Sequence, residues 1–267
     1  MAAYPVAVFA VVLYLAVTLG LLRRRQDNLL AQRPVLLAAA WVGLLLHGTA
    51  LAGLALTPQG LDLGFFSTAA LVSLMVVFLF LLAAIEEPVD KLGIVILPLA
   101  AITLVFRLIF PAEVRTLSQV TLAMQVHILA SILAFSLLNI AAVQALLLAC
   151  QDMHLHRKRS GWFARSLPPL QTMERLLFQM IGTGFCLLSL SLASGWLFVH
   201  DLFAQHLVHK TVLSILSWLV FGGLLFGRRF YGWRGRTAIR WTLWGFLALL
   251  LAYFGSKLVL ELILHRT

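Results

Sequence analysis

Along the chain, polar residues gather in short clusters, and between them lie nearly unbroken apolar runs at about 4–22, 35–57, 65–85, 92–110, 127–150, 176–198, 211–227 and 241–262. Each run is close to the ~20 residues an α-helix needs to cross a bilayer core, where a backbone must satisfy its own hydrogen bonds. The pattern predicts an all-α, polytopic transmembrane helix bundle of about eight spans, forming a single integral membrane domain over residues 1–267. Long linkers, low-complexity tracts and internal repeats are absent, and the largest inter-span segment, 151–175, contains Pro168 and Pro169.

Composition sharpens this. Of 267 residues, 62% are hydrophobic and 11% charged, and the mean hydropathy is +0.99, against roughly 45–50% apolar and about 25% charged in soluble domains. The two cysteines, Cys150 and Cys186, lie in apolar runs and form no C-x-x-C, which argues against a thiol relay, a zinc site or covalent haem attachment. No glycine-rich phosphate loop is present, so nucleotide chemistry is not expected. The basic residues are divided among short loops and form no groove, so nucleic acid is not an expected partner.

Orientation follows from the cations. The first span begins at Tyr4 with no basic residue before it and is followed by Arg23, Arg24 and Arg25, which reads as a retained anchor with the N-terminus outside. Fifteen of the 20 Lys and Arg residues then fall in loops on one side: Arg23 to Arg25 with Arg33, then Lys91, then the 157–175 cluster, then Arg228 to Arg240. By the positive-inside rule that side is the cytoplasm, and both termini are extracytoplasmic. The net charge of +10 thus serves topology and contact with anionic headgroups.

Histidines distribute unevenly. His154 and His156 are inside and His47 is within the second span, whereas His127, His200, His206, His209 and His265 fall at or beyond outer span ends. Neutral imidazoles from facing helices are common axial ligands of haem iron; the competing reading is a set of interfacial histidines around a rim. His47 is a functional candidate because an ionisable side chain near mid-span normally faces the bundle interior. Arg107 and Lys257, at outer span ends, either bind carboxylates such as propionates or snorkel to headgroups. Lys257 and Glu261 are i,i+4 neighbours that can neutralise each other. The aromatic and basic stretch Tyr231 to Arg236 suits an interface anchor. Ser189, Ser191 and Ser194 read as helix-packing residues, and no facing carboxylates, G-x-S-x-G or H-E-x-x-H suggest an enzyme.

The chain resembles the cytochrome c assembly membrane family, the haem-handling group that includes the CcsA, CcmC and HemX-like proteins, and within it a bacterial inner-membrane branch. Leu44-Leu45-Leu46-His47-Gly48, Phe65-Phe66-Ser67, Pro98, Val126-His127-Ile128 and Ser194-Gly195-Trp196 carry the resemblance. So do His209-Lys210-Thr211, Ser217-Trp218, Gly232-Trp233-Arg234-Gly235-Arg236, Gly245-Phe246 and Tyr253-Phe254-Gly255. The resemblance implies haem on the extracytoplasmic side between two outer histidines, and in longer members a second pair within the membrane. By motif, His127 corresponds to the first outer histidine and His47 to the first intramembrane one; His265 is the candidate second outer histidine, with His209 its rival. The family's tryptophan-rich motif ending in Trp-Asp-Pro-Lys-Glu has no counterpart in residues 200–210, and the second intramembrane histidine aligns with Phe226.

The resulting expectation is a multi-pass bacterial inner-membrane protein that binds or handles haem b near the outer leaflet, with His127 and either His265 or His209 as iron ligands and Arg107 or Lys257 facing propionates. Its partners would be the lipid bilayer, haem and a second inner-membrane protein. It would not be an enzyme by itself, a haem-lyase role arising only within a complex. The alternatives are a non-haem subunit or regulator of an ion or metal transport system, and a scaffold for another membrane protein.

Overall fold

A computed structural model of the chain describes residues 3–23, 29–57, 60–61, 64–110, 122–156, 168–198 and 208–255. Among them are eight helices long and apolar enough to cross a membrane. They are α1 (Ala3–Arg23), α2 (Leu29–Ala55), α3 (Phe65–Glu86), α4 (Gly93–Ile109), α5 (Leu122–His156), α6 (Leu170–Phe198), α7 (Val208–Tyr231) and α8 (Arg236–Leu250), the last continuing as a π-helical turn, Leu251–Gly255. A 3-10 turn, Asp90–Leu92, leads into α4. The all-α expectation holds; among the described residues, one small antiparallel pairing of Leu56 with Leu61 and Thr57 with Gly60 lies between α2 and α3. The chain divides into two compact units, Met1–Gln119 and Val120–Thr267.

In the first unit α1 packs against both α2 and α4, and α3 against α2 and α4. Where α1, α2 and α4 meet, Ala7, Ala10, Ala50 and Leu104 are fully buried. Small side chains let helix backbones approach, which matters because lipid supplies no hydrophobic drive for one apolar helix to prefer another. Between α3 and α4 the half-buried Ser73 and Thr103 hydroxyls meet at 2.7 Å. Outward-facing side chains such as Phe9, Leu45 and Ile85 are large, apolar and exposed, a surface suited to lipid and ill suited to water.

The second unit is organised by α5, which lies against α6 and α8, while α7 packs against α6 and α8. Phe135 of α5 receives Phe246 of α8 and Tyr253 of the π-helical turn, with centroids 5.7 and 4.7 Å away. Trp218 stacks on Phe185 at 5.5 Å and donates its indole N–H to Ser189 Oγ at 2.8 Å. Gln144 donates to the Met173 carbonyl at 3.0 Å. In both units, ion pairs occupy the helix ends that the charge count assigns to the cytoplasm: Arg33–Asp90 at 3.1 Å, Arg228–Glu174 at 3.0 Å and Arg236–Asp152 at 2.9 Å.

Several spans are longer than their apolar runs. Helix α5 extends beyond 127–150 at both ends, α7 exceeds 211–227, and α8 begins at Arg236 rather than 241. Hydropathy sees only the apolar middle, whereas a helix continues through the interface wherever its polar side chains reach headgroups, water or each other. The segment expected as a loop from 228 to 240 is therefore largely helix around a four-residue turn. That turn uses Gly232 (φ 67°) and Gly235 (φ 53°), in a left-handed region open chiefly to glycine. Residues 256–262 of the eighth expected span lie outside the described residues.

Candidate functional site

His127 lies in the second turn of α5 and is half-buried against α6. Its Nδ1 stands 3.0 Å from the Ser191 carbonyl oxygen and 3.1 Å from Ser194 Oγ. A carbonyl can only accept, so Nδ1 carries the proton, the ring is held as the Nδ1–H tautomer, and Nε2 keeps its lone pair. No partner for Nε2 is present among the described residues.

The serines form a connected set. Ser194 donates to the Ser191 carbonyl at 2.9 Å, leaving its oxygen lone pairs for the His127 N–H. Ser131, one turn along α5, donates to the His127 carbonyl at 2.7 Å. Its oxygen lies 2.6 Å from Ser191 Oγ, so with the Ser131 proton committed, Ser191 is the donor in that contact. Ser191 and Ser194 are 6% and 5% exposed, so these bonds are shielded from competing water. Gly195 completes the seat: a Cβ there would stand 3.1 Å from His127 Cε1, crowding the ring. An imidazole oriented by hydrogen bonds at one nitrogen and open at the other is the usual form of a metal-ligating histidine, whose second nitrogen bonds a carbonyl or carboxylate.

His47, in α2, is 0% exposed. Its Nδ1 lies 3.3 Å from the Tyr14 hydroxyl of α1, the two rings meeting edge to face at 5.9 Å. Nε2 is buried with no hydrogen-bond partner among the described residues. Such an orphaned polar atom in a dry interior has a free-energy cost of about 1–3 kcal/mol. Tyr14 was not singled out from sequence, although a tyrosine in the middle of an apolar span is a signal of the same kind as His47.

Arg107 is 7% exposed and donates from Nη2 to the Leu54 carbonyl at 2.8 Å. Leu54 is in the last turn of α2, where carbonyls have no intrahelical partner, so the guanidinium caps that helix within the first unit. His209 is exposed in the first turn of α7. His265 and Lys257 lie outside the described residues. Among the described residues, no group of three or more His, Cys, Asp or Glu side chains could hold a metal ion.

A family model described as cytochrome C assembly protein matches residues 36–264. The chain belongs to the cytochrome c assembly protein family. It is 35% identical over 233 residues to the inner membrane protein YpjD of Escherichia coli strain K12, an alignment covering 86% of this chain and 88% of that one. An uncharacterized 28.8 kDa protein of Azospirillum brasilense is 37% identical over 140 residues, 52% of each chain. The cytochrome c biogenesis protein CcsA of Nostoc punctiforme is 26% identical over 91 residues, 33% of this chain and 26% of that one. No solved structure matches. The family match includes His47, Arg107, His127, His209 and Lys257, and ends one residue before His265.

Proposed function

We propose that this protein is a multi-pass inner-membrane protein that binds or handles haem near the outer leaflet, with His127 as an axial ligand through Nε2. The carrying observation is the seat of His127: Nδ1 is bonded to the Ser191 carbonyl, and Nε2 has no described partner. Family membership supports haem as the group concerned, and the relative named inner membrane protein YpjD supports the compartment. When bound, haem would supply an iron that takes an imidazole nitrogen as ligand. The chain's own contribution is to orient one imidazole and to exclude water behind it with buried serines.

With both termini extracytoplasmic, His127 falls at the outer end of α5. His265 or His209 would supply the second histidine, and Lys257 would be the cation for a propionate. Arg107 is read instead as the cap of α2. Since Cys150 and Cys186 sit in no haem-attachment motif, the haem would be held non-covalently, as haem b is. A role in cytochrome c assembly then takes the form of binding or delivering haem with a second membrane protein, the chain lacking the tryptophan-rich motif.

Protein purified in mild detergent from haem-replete cells tests the reading. A pyridine haemochrome spectrum of b type is expected for wild type, lost in His127→Ala and retained in His206→Ala; the same assay on His209→Ala and His265→Ala identifies the second ligand. Wild-type protein without a Soret band, also after hemin is added, overturns the proposal.

A further inference from the structure

Three features of the molecule are not explained by ligation alone: the outward apolar face of α1, the buried Tyr14–His47 pair, and the arrangement of the serines around His127. The face of α1 is lipid-like throughout, and nothing in the structure names an occupant for it. The Tyr14 contact is compatible with either tautomer of His47, because a hydroxyl both donates and accepts. The serine set is determinate.

We propose that Ser194 is the positioning residue of the candidate haem site, holding His127 with its proton on Nδ1 so that Nε2 is the ligating atom; this rests on the haem reading for its purpose and on the hydrogen bonds alone for its geometry. The Nδ1–H group points between two acceptors, the Ser191 carbonyl at 3.0 Å and Ser194 Oγ at 3.1 Å. Ser194 also donates to that same carbonyl, which polarises its oxygen towards the imidazole N–H, since hydrogen bonds in series strengthen one another. The hydroxyl thereby closes a three-membered arrangement of ring nitrogen, hydroxyl and carbonyl. Ser131 and Ser191 fix the backbone on both sides of it, and Gly195 leaves the ring room to lie against α6. Rotating the ring by half a turn about Cβ–Cγ would put Cδ2 where Nδ1 stands and leave both acceptors facing a carbon. Ser194 and the Ser191 carbonyl favour the orientation with the less hindered nitrogen free.

A serine that merely packs helices would leave the imidazole tautomer untouched, so the tautomer is the discriminating readout. Nitrogen-15 spectra of histidine-labelled protein without haem, with His127 assigned by its loss in His127→Gln, are expected to show the Nδ1–H tautomer in wild type. Because the Ser191 carbonyl remains as an acceptor, Ser194→Ala is expected to keep Nδ1–H as the major form with a measurable Nε2–H fraction, and Ser194→Thr, which keeps the hydroxyl, the wild-type form. Hemin titration gives the second arm: about a 10- to 100-fold loss of affinity in Ser194→Ala, the range for removing a hydrogen bond behind a metal ligand, and recovery in Ser194→Thr. An Nε2–H tautomer in wild type, or Ser194→Ala matching wild type in tautomer, overturns the inference. If wild type takes up no hemin, the haem reading fails by itself, while the nitrogen-15 comparison still decides what Ser194 does.

Discussion

The Tyr14–His47 pair allows the energetics of a dry polar contact to be worked through. In wild type the two groups share one hydrogen bond at 3.3 Å, at the weak end of useful geometry, and His47 Nε2 has no described partner. Tyr14→Phe removes the hydroxyl and leaves a second imidazole nitrogen unsatisfied in the same interior, so a loss of about 1–2 kcal/mol is expected. His47→Leu relieves the orphaned Nε2 but strands the Tyr14 hydroxyl, two terms of similar size, for a net change within about 1 kcal/mol. The double variant replaces the whole polar pair by apolar groups of comparable volume and is expected to be at least as stable as wild type. The cycle therefore shows a coupling of about 1–2 kcal/mol, within the range for residues in contact. Unfolding in detergent micelles titrated with dodecyl sulfate, followed by far-ultraviolet circular dichroism, measures all four proteins. Additive single effects, or a double variant weaker than Tyr14→Phe, would refute the reasoning. The expected outcome would mean that this polar pair adds no net stability.

Other perturbations separate site from scaffold. Gly195→Ala places a methyl group 3.1 Å from His127 Cε1; hemin affinity is expected to fall at least about tenfold with little change in helicity or thermal midpoint. Arg107→Met removes a charged donor from the Leu54 carbonyl and is expected to lower unfolding free energy by about 1.5–3 kcal/mol, leaving hemin affinity unchanged. Asp152→Asn breaks an ion pair whose Arg236 side chain is 64% exposed; a change below about 1 kcal/mol, smaller still at high salt, is expected in the same unfolding assay.

The spans are legible in sequence because lipid imposes a simple rule, an apolar stretch of sufficient length, and each of the eight runs obeys it. Their ends are less legible: Arg236 is polar, yet it opens α8 with its charge matched by Asp152 on α5, a pairing that depends on tertiary register. The same limit applies at the site. His127 stands out from its position and residue type alone, but its tautomer depends on which turn of α6 lies opposite, and Ser191 and Ser194 carry no mark distinguishing a ring-orienting pair from ordinary packing serines. The spacing His127, Ser131 on one helix and Ser191, Ser194, Gly195 on another is a recognisable signal once those helices are known to touch. Arg107 stands out in sequence as a cation near a span end, but its bond to the Leu54 carbonyl depends on where α2 ends, which only the structure gives. His265 and Lys257 lie outside the described residues, and their roles rest on family resemblance and position.

The most direct measurement is hemin binding by His127→Gly with and without added imidazole, alongside wild type. The variant is expected to bind hemin at least about tenfold more weakly and to recover a wild-type-like b-type spectrum as free imidazole occupies the vacated position. Undiminished binding by His127→Gly, with a spectrum indifferent to imidazole, would contradict the assignment of His127 as the ligand.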